Sequence, residues 1–135
     1  MPITTGVNHV ATLTSDMDRT VDFYRHAFDA TVVFEMPAAG DHPLMKVLDV
    51  GAGVSLNVFE VSAADIIGDR RRQGARGAID HFALAVESLD RLEELRRRLI
   101  DAGADDVGEI HRLGPDWSLY FCDPDGMELE VCCSA

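Results

Sequence analysis

Val-Asn-His-Val-Ala at residues 7–11 returns as Ile-Asp-His-Phe-Ala at residues 79–83, and this repeat decides the fold. A second match, Gly-Val-Ser-Leu-Asn-Val at residues 53–58 against Gly-Met-Glu-Leu-Glu-Val at residues 126–131, follows at nearly the same offset. Similarity at a fixed offset is typical of duplicated supersecondary units. The chain therefore contains two related modules in tandem.

The repeat places chemically useful side chains at matching positions. His9 pairs with His81 on the first strand of each copy, and Asn57 pairs with Glu130 on the last. A histidine inside an apolar strand needs a partner, because a buried imidazole without hydrogen bonds is costly. Two imidazoles and a carboxylate are a common donor set for divalent transition metals, and zinc with three protein ligands also fits. The pattern predicts one metal site shared by the two modules.

Composition and charge narrow the function classes. Twenty-four acidic residues against 12 basic ones give a formal charge of −12, which disfavours binding to nucleic acid or to an anionic membrane. No apolar run approaches the roughly 20 residues of a membrane-spanning helix, and no export signal is evident at the N-terminus. Three cysteines without zinc-type spacing indicate reduced thiols. We expect a cytoplasmic protein.

Hydrophobic periodicity predicts the same element order, β-α-β-β-β, in each module. Module one spans about residues 5–61, with a helix capped by Ser15 or Asp16 and strands at residues 7–14, 31–36, 46–50 and 54–61. Module two spans about residues 79–133, with a helix that Ser88 caps and Gly103 ends and strands at residues 79–86, 106–110, 118–122 and 127–132. Residues 62–78 form a basic, solvated linker. The expected fold class is α+β, with two tandem modules forming a curved mixed sheet around a metal or ligand cavity.

Strand alternation assigns the polar side chains to one face. Ser55, Asn57 and Phe59 share a face of their strand, as Glu128, Glu130 and Cys132 do in the second module. The apolar residues between them suit the helix-covered side. The polar set should therefore line a cavity that a ligand can reach.

At these residues the chain resembles the vicinal oxygen chelate superfamily. The resemblance rests on the β-α-β-β-β duplication, the Asp-His-Phe-Ala strand and Phe-Cys-Asp-Pro-Asp-Gly-Met-Glu-Leu-Glu at residues 121–130. Its members include glyoxalase I, methylmalonyl-CoA epimerase, extradiol dioxygenases, fosfomycin-resistance transferases and bleomycin-binding proteins. It implies His9, His81 and Glu130 as ligands of a divalent ion: zinc, nickel, manganese or iron(II). Glyoxalase I has a glutamate where this chain has Asn57, so Asn57 is a weak fourth-ligand candidate.

The resemblance leaves the activity open. A glyoxalase-like lyase or isomerase would use Glu130 as both metal ligand and catalytic base, and a small dioxygenase would use the same ligands. Asn57, Ser118 and Tyr120 would line the substrate pocket. A fosfomycin-type thiol transferase ranks lower, because no cationic side chain follows the last strand. The non-enzymatic alternative is a small-molecule or drug-binding protein of the bleomycin-resistance kind.

Assembly bears on the site, because one open sheet needs a partner to close a cavity. The resemblance and common oligomer symmetry favour a homodimer that binds a small-molecule substrate. The modules can pair within one chain or between two. In the second arrangement His9 of one subunit meets His81 and Glu130 of the other.

Overall fold

A computed structural model of the chain describes residues 1–66 and 79–134, so residues 67–78 of the predicted linker lie outside the described residues. The first module contains β1 (His9–Thr14), α1 (Met17–Phe28), β2 (Thr31–Met36), β3 (Met45–Asp49) and β4 (Ser55–Glu60), followed by a short 3₁₀ turn at Ala63–Asp65. The second contains β5 (Phe82–Ala85), α2 (Leu89–Asp101), β6 (His111–Leu113), β7 (Asp116–Cys122) and β8 (Glu128–Ser134). Within the described ranges, no helix combines the length and apolar character that crossing a membrane requires.

Each module folds into its own four-stranded mixed sheet, which confirms the predicted α+β class. The strand orders are β1-β4-β3-β2 and β5-β8-β7-β6, so the two sheets have the same topology. In each, the first strand runs parallel to the last and the remaining pairs are antiparallel. Parallel pairing needs a crossover connection, and part of it is the helix after the first strand.

Local capping explains where the two helices begin and end. The Asp16 side chain accepts a hydrogen bond from the Arg19 amide, and the Ser88 side chain accepts one from the Arg91 amide. Each satisfies one of the free amides of a first helical turn. Gly103 follows α2 at a φ of 79°, a left-handed conformation that costs glycine little. These boundaries match the predicted ones, with Asp16 rather than Ser15 as the cap.

The predicted strand at residues 106–110 is wrong. Asp106 has a left-handed φ of 50°, which an extended strand does not accommodate, and the third strand of module two is β6, at His111–Leu113. A tight turn at Gly114 (φ 59°) joins β6 to β7, and glycine supplies the positive φ that such hairpins need. The strand therefore starts later than its β-prone residues indicate.

Strand register shows that the repeat in sequence is a repeat in space. Ala11 pairs with Asn57 across β1 and β4, and Ala83 pairs with Glu130 across β5 and β8. Asn57 and Glu130 therefore occupy equivalent places in their sheets.

The two modules share one hydrophobic core. Leu56 and Val58 of the first sheet and Leu129 and Val131 of the second are 0% exposed, and all four belong to a single cluster with the buried residues of both helices. Phe28 of α1 contacts the second sheet directly, its ring 5.8 Å from that of Phe121. Because alternate strand residues point to opposite faces, the face of each sheet that carries His9 or His81 points away from this core.

The Asp-Pro-Asp-Gly turn ties α1 to the second module. The buried Tyr24 hydroxyl donates to Asp123 Oδ2 at 2.9 Å, while Asp123 Oδ1 accepts from the Asp125 and Met127 amides at 2.9 and 3.0 Å. Asp125 accepts from Thr20 at 2.9 Å and from Arg19 at 2.8 Å. Two carboxylates of one turn thus hold one helix of the other module.

Stability should depend on pH through Asp123. Burial raises the pKa of this carboxyl from 3.8 to about 6, so the native state holds the proton more tightly than the unfolded state. The contribution of Asp123 is then full below about pH 4 and is lost as the pH rises through 6. Asp123→Asn removes the titration and keeps the Oδ1 acceptor. Relative to Asp123→Asn, the wild type should lose about 1–3 kcal/mol of unfolding free energy between pH 4 and 7.

Urea unfolding of both proteins at several pH values measures this difference, since all other titrating groups are common to the pair. An unfolding free-energy gap that does not change with pH would contradict the assignment. Tyr24→Phe serves as a second variant, because it removes the hydroxyl donor without changing the charge.

Candidate metal centre

The outward face of the second sheet brings together His81, Glu130 and Ser118. His81 Nε2 lies 3.1 Å from Glu130 Oε2, and the Ser118 hydroxyl donates to Glu130 Oε1 at 2.6 Å. His81 directly precedes β5, Glu130 lies in the middle of β8, and Ser118 lies on the neighbouring β7. β7, β8 and the residue that leads into β5 therefore hold the carboxylate and the imidazole in position.

The spacing of this pair fits two ligands of one cation. Nitrogen and oxygen ligands lie about 2.1 Å from tetrahedral zinc, so two of its ligand atoms are roughly 3.4 Å apart. His81 Nε2 and Glu130 Oε2, which share a hydrogen bond at 3.1 Å in this structure, lie close to that separation. The Glu130 side chain is only 13% exposed, so a cation there would replace much of the carboxylate's lost hydration.

Excess negative charge surrounds this position. Burial, and next the charge of Glu130, raises the pKa of both the Tyr120 hydroxyl and the Cys132 thiol. The Tyr120 ring lies edge-on to the His81 ring at 5.2 Å and stacks on His111 at 6.0 Å. Tyr120 thus shields one side of the His81–Glu130 pair, and both Tyr120 and Cys132 are held in their neutral forms.

Two further carboxylates lie close to the same histidine. Asp80, His81 and Glu128 each offer a ligand atom, and these three atoms lie within 4.8 Å of one another. Strand parity had placed Glu128 on the face of Glu130 without assigning it a role. The site therefore has an alternative donor triad beside the predicted His81–Glu130 pair.

Both repeat histidines are held by the residue that precedes them. His81 Nδ1 lies 2.7 Å from Asp80 Oδ1, and His9 Nδ1 lies 2.8 Å from Asn8 Oδ1. In metal sites the second ring nitrogen of a histidine ligand commonly donates to such an oxygen, which orients the ring and leaves Nε2 for the metal. Sequence analysis did not single out Asn8 or Asp80, although the repeated Asn-His and Asp-His dipeptides carried the signal.

In the described part of the chain, His9 does not join His81 and Glu130 in one cluster of ligand atoms. Among residues 1–66 and 79–134, no set of three ligand atoms lying within 4.8 Å of one another includes His9. His9 is exposed on the first sheet, and the Ser55 hydroxyl of the same face donates to Asn57 Oδ1 at 3.2 Å. The shared core separates the two outward faces. The shared site of His9, His81 and Glu130, with Asn57 beside it, therefore stays a prediction.

Glu60, three residues beyond Asn57, has a structural role. Its Oε2 accepts a hydrogen bond from the Met17 amide at 2.7 Å, at the first turn of α1. A carboxylate at a helix N-terminus is favourable because the free amides there carry partial positive charge. Glu60 lies three residues from Asn57 on the same strand, so its side chain points to the opposite face of the sheet.

The protonation of His81 tests this geometry. The hydrogen bond to Asp80 is the largest cause that raises the pKa of His81, and Glu130 adds to it. Asp80→Asn should lower the pKa of His81 in metal-free protein, because a neutral amide stabilises the imidazolium less than a carboxylate does. Imidazole NMR titration measures the change. Asn8→Ala is the matched control, because the Asn8 side chain contacts His9 and not His81. A His81 pKa that does not change in Asp80→Asn would refute the Asp80–His81 contact.

Sequence comparisons identify a family that the chain matches and individual proteins to which it is similar. The Glyoxalase/Bleomycin resistance protein/Dioxygenase superfamily profile matches residues 6–131. A metallothiol transferase FosB from Shouchella clausii is 31% identical over 93% of this chain and 78% of its own length. A 2-epi-5-epi-valiolone epimerase from Actinomyces sp. is 29% identical over 97% of this chain and 80% of its own length.

A solved structure with a similar fold carries the same family description. The glyoxylase/bleomycin resistance protein/dioxygenase domain from Frankia sp. EAN1pec superposes with a TM-score of 0.78 at 25% identity, covering 98% of this chain and 99% of that one. The family profile spans both modules and includes all three predicted ligand positions. The chain therefore belongs to the Glyoxalase/Bleomycin resistance protein/Dioxygenase superfamily.

Proposed function

We propose that this protein is a divalent-metal-dependent enzyme that moves a proton at a carbon beside a carbonyl of a small oxygenated substrate. The observation that carries the proposal is the His81–Glu130 pair, 3.1 Å apart and fixed by Ser118. An epimerase among the relatives supports proton transfer over oxygen chemistry. The metallothiol transferase relative supports thiol transfer as the second candidate.

We propose further that two copies of the chain complete each site. His9 lies on an outward face and Nδ1 is already held by Asn8, as in a ring oriented for a ligand at Nε2. His81 and Glu130 form only part of a three-ligand set. A symmetric pair of subunits would set the first sheet of one chain against the second sheet of the other, so that His9 of the partner subunit joins His81 and Glu130.

Each residue of the proposed site would have its own role in the proton transfer. The two histidines and Glu130 would hold a divalent ion, which would supply Lewis-acid polarisation of the substrate oxygens. Glu130 removes the proton from the carbon beside the carbonyl and returns it, so the proton resides on this carboxylate between the two transfers. Ser118 donates to Glu130 Oε1 and so fixes the orientation of the carboxylate. Tyr120 limits the access of water on the His81 side.

Heterodimers test the shared site without knowledge of the substrate. His9→Ala and His81→Ala chains, co-expressed with different tags and purified through both, should bind one metal ion per dimer. One site of that dimer then combines two defects, and the other is intact. Each variant homodimer should bind none, and the wild type two. Metal content by mass spectrometry gives the count.

The matched control pairs His81→Ala with Glu130→Ala. Both residues lie in module two, so neither site of that heterodimer is intact, and no metal should be recovered. If ligands came from one chain only, the His9→Ala/His81→Ala heterodimer would also bind none. Failure to isolate any doubly tagged species would contradict the dimer itself.

Deuterium exchange tests the reaction. Metal-loaded wild type should speed the uptake of solvent deuterium at the carbon beside the carbonyl in α-hydroxyketones or α-ketoaldehyde–thiol adducts, as followed by NMR. Glu130→Gln should reduce the rate by at least about 100-fold, the usual contribution of a positioned base. Chelation of the metal should have a comparable effect.

Glu128→Gln is the discriminating variant, because Glu128 lies two residues away on the same face. Exchange that survives Glu130→Gln but not Glu128→Gln would move the base to the Asp80–His81–Glu128 triad. Oxygen uptake on catechols would instead favour a dioxygenase, and loss of a thiol cosubstrate would favour the transferase. Metal-independent ligand binding without turnover would favour a binding protein.

A further inference from the structure

We propose that the substrate is amphipathic: a chelating pair of oxygens joined to an apolar group. This inference rests on the proposed function, because it assumes that the outward face of the first sheet closes the cavity over the metal. It adds a substrate class that the His81–Glu130 pair does not define. The physical basis is a difference in chemistry between the two repeated faces.

Strand register aligns the two faces position by position. Val47 lies opposite Asn57 as Tyr120 lies opposite Glu130, and the remaining positions follow from the same pairings. The first face is mainly apolar where the second is polar; the equivalent pairs are Met36 and His111, Met45 and Ser118, Val47 and Tyr120, Phe59 and Cys132. The outward faces of the duplicated sheets thus differ in side-chain character, with more apolar side chains on the first and more polar ones on the second.

The apolar half is not part of the core. Leu13 is 43% exposed, Phe34 52% and Met36 38%, although each lies on a strand that is packed on its other face. Phe34 pairs with Val47 and Met36 with Met45, so these side chains continue the face that carries His9 and Asn57. A face that presents a metal ligand must open toward the metal. Its apolar residues would therefore contact the part of the substrate that the metal does not hold.

Charge argues against a phosphonate or phosphate as the substrate. On the two outward faces, none of the described strand positions that alternate with His9, Asn57, His81 or Glu130 is a lysine or an arginine. Lys46 and Arg112 have the opposite parity: Lys46 lies 3.9 Å from Glu35, and Arg112 stacks over the Trp117 ring at 5.8 Å. A dianion would meet Glu128 and Glu130 with no strand cation to balance its charge. A neutral or singly charged chelating group fits this face better.

Three small chelators of different character test the substrate class. Acetohydroxamate carries only the oxygen pair, benzohydroxamate adds a phenyl ring, and phosphonoformate adds charge. Titration calorimetry on metal-loaded protein should find benzohydroxamate bound at least about tenfold more tightly than acetohydroxamate, because the ring is buried against apolar side chains. Phosphonoformate should bind most weakly.

Variants separate the apolar contact from the intrinsic strength of each chelator. Phe34→Gln combined with Met36→Gln should reduce the benzohydroxamate advantage to less than about threefold and leave acetohydroxamate binding unchanged. Ile100→Gln is the matched control. Ile100 is 50% exposed, about as much as Phe34, but it lies on α2. This variant should keep the full preference for benzohydroxamate over acetohydroxamate.

Each outcome assigns a failure to one proposal. Hydroxamate binding that disappears on chelation of the metal but shows no preference for the ring would overturn this inference alone. An advantage that survives the Phe34/Met36 double variant, or tightest binding by phosphonoformate, would also overturn it. If neither hydroxamate binds the metal-loaded protein, the proposed function fails and the amphipathic substrate fails with it.

Discussion

Burial of two amphipathic helices in a core that both sheets share is the constraint on which the remaining structure depends. One face of each sheet packs against the same cluster of helix and strand side chains. Since strand side chains alternate, the opposite faces, which carry the candidate ligands, are directed outward. The position of every candidate ligand follows from this arrangement.

The Asp-Pro-Asp-Gly turn serves this core rather than the chemistry. It lies between β7 and β8, yet its two carboxylates accept hydrogen bonds from Tyr24, Thr20 and Arg19 of α1. The two aspartates of this segment therefore connect α1 to the second module. Glu130, at the end of the same segment, lies instead at the candidate site. Burial of a carboxyl at this point has a cost, which the turn amides and the Tyr24 hydroxyl offset in part.

Periodicity and capping rules were sufficient to predict most of the fold. The repeat, the alternation of Leu56 and Val58 with Asn57, and the helix caps all depend on short-range geometry that a sequence displays directly. The start of β6 was missed because it is set by a backbone conformation at Asp106 and by the turn at Gly114, not by β propensity. Periodicity and capping rules do not predict such a shift in where a strand begins.

The candidate site was harder to predict, for a different physical reason. Parity and the repeat pointed to His81 and Glu130, and the family resemblance pointed to Ser118. The structure groups these three residues on one face. The contacts of Asn8 and Asp80 with the two imidazoles went unnoticed, because neighbours in a strand normally point to opposite faces. Whether His9 meets His81 within a chain depends on which module covers which helix, and that is a tertiary property.

The outward orientation of the two faces has a thermodynamic consequence. If a site takes ligands from two chains, the free energy of metal binding is also free energy of association, and the two equilibria are linked. Dilution would then release the ion from subunits that remain folded, and the ion would in turn hold the subunits together at concentrations where they would otherwise part. The concentration of the protein, and not only its fold, would determine what fraction of it holds the ion.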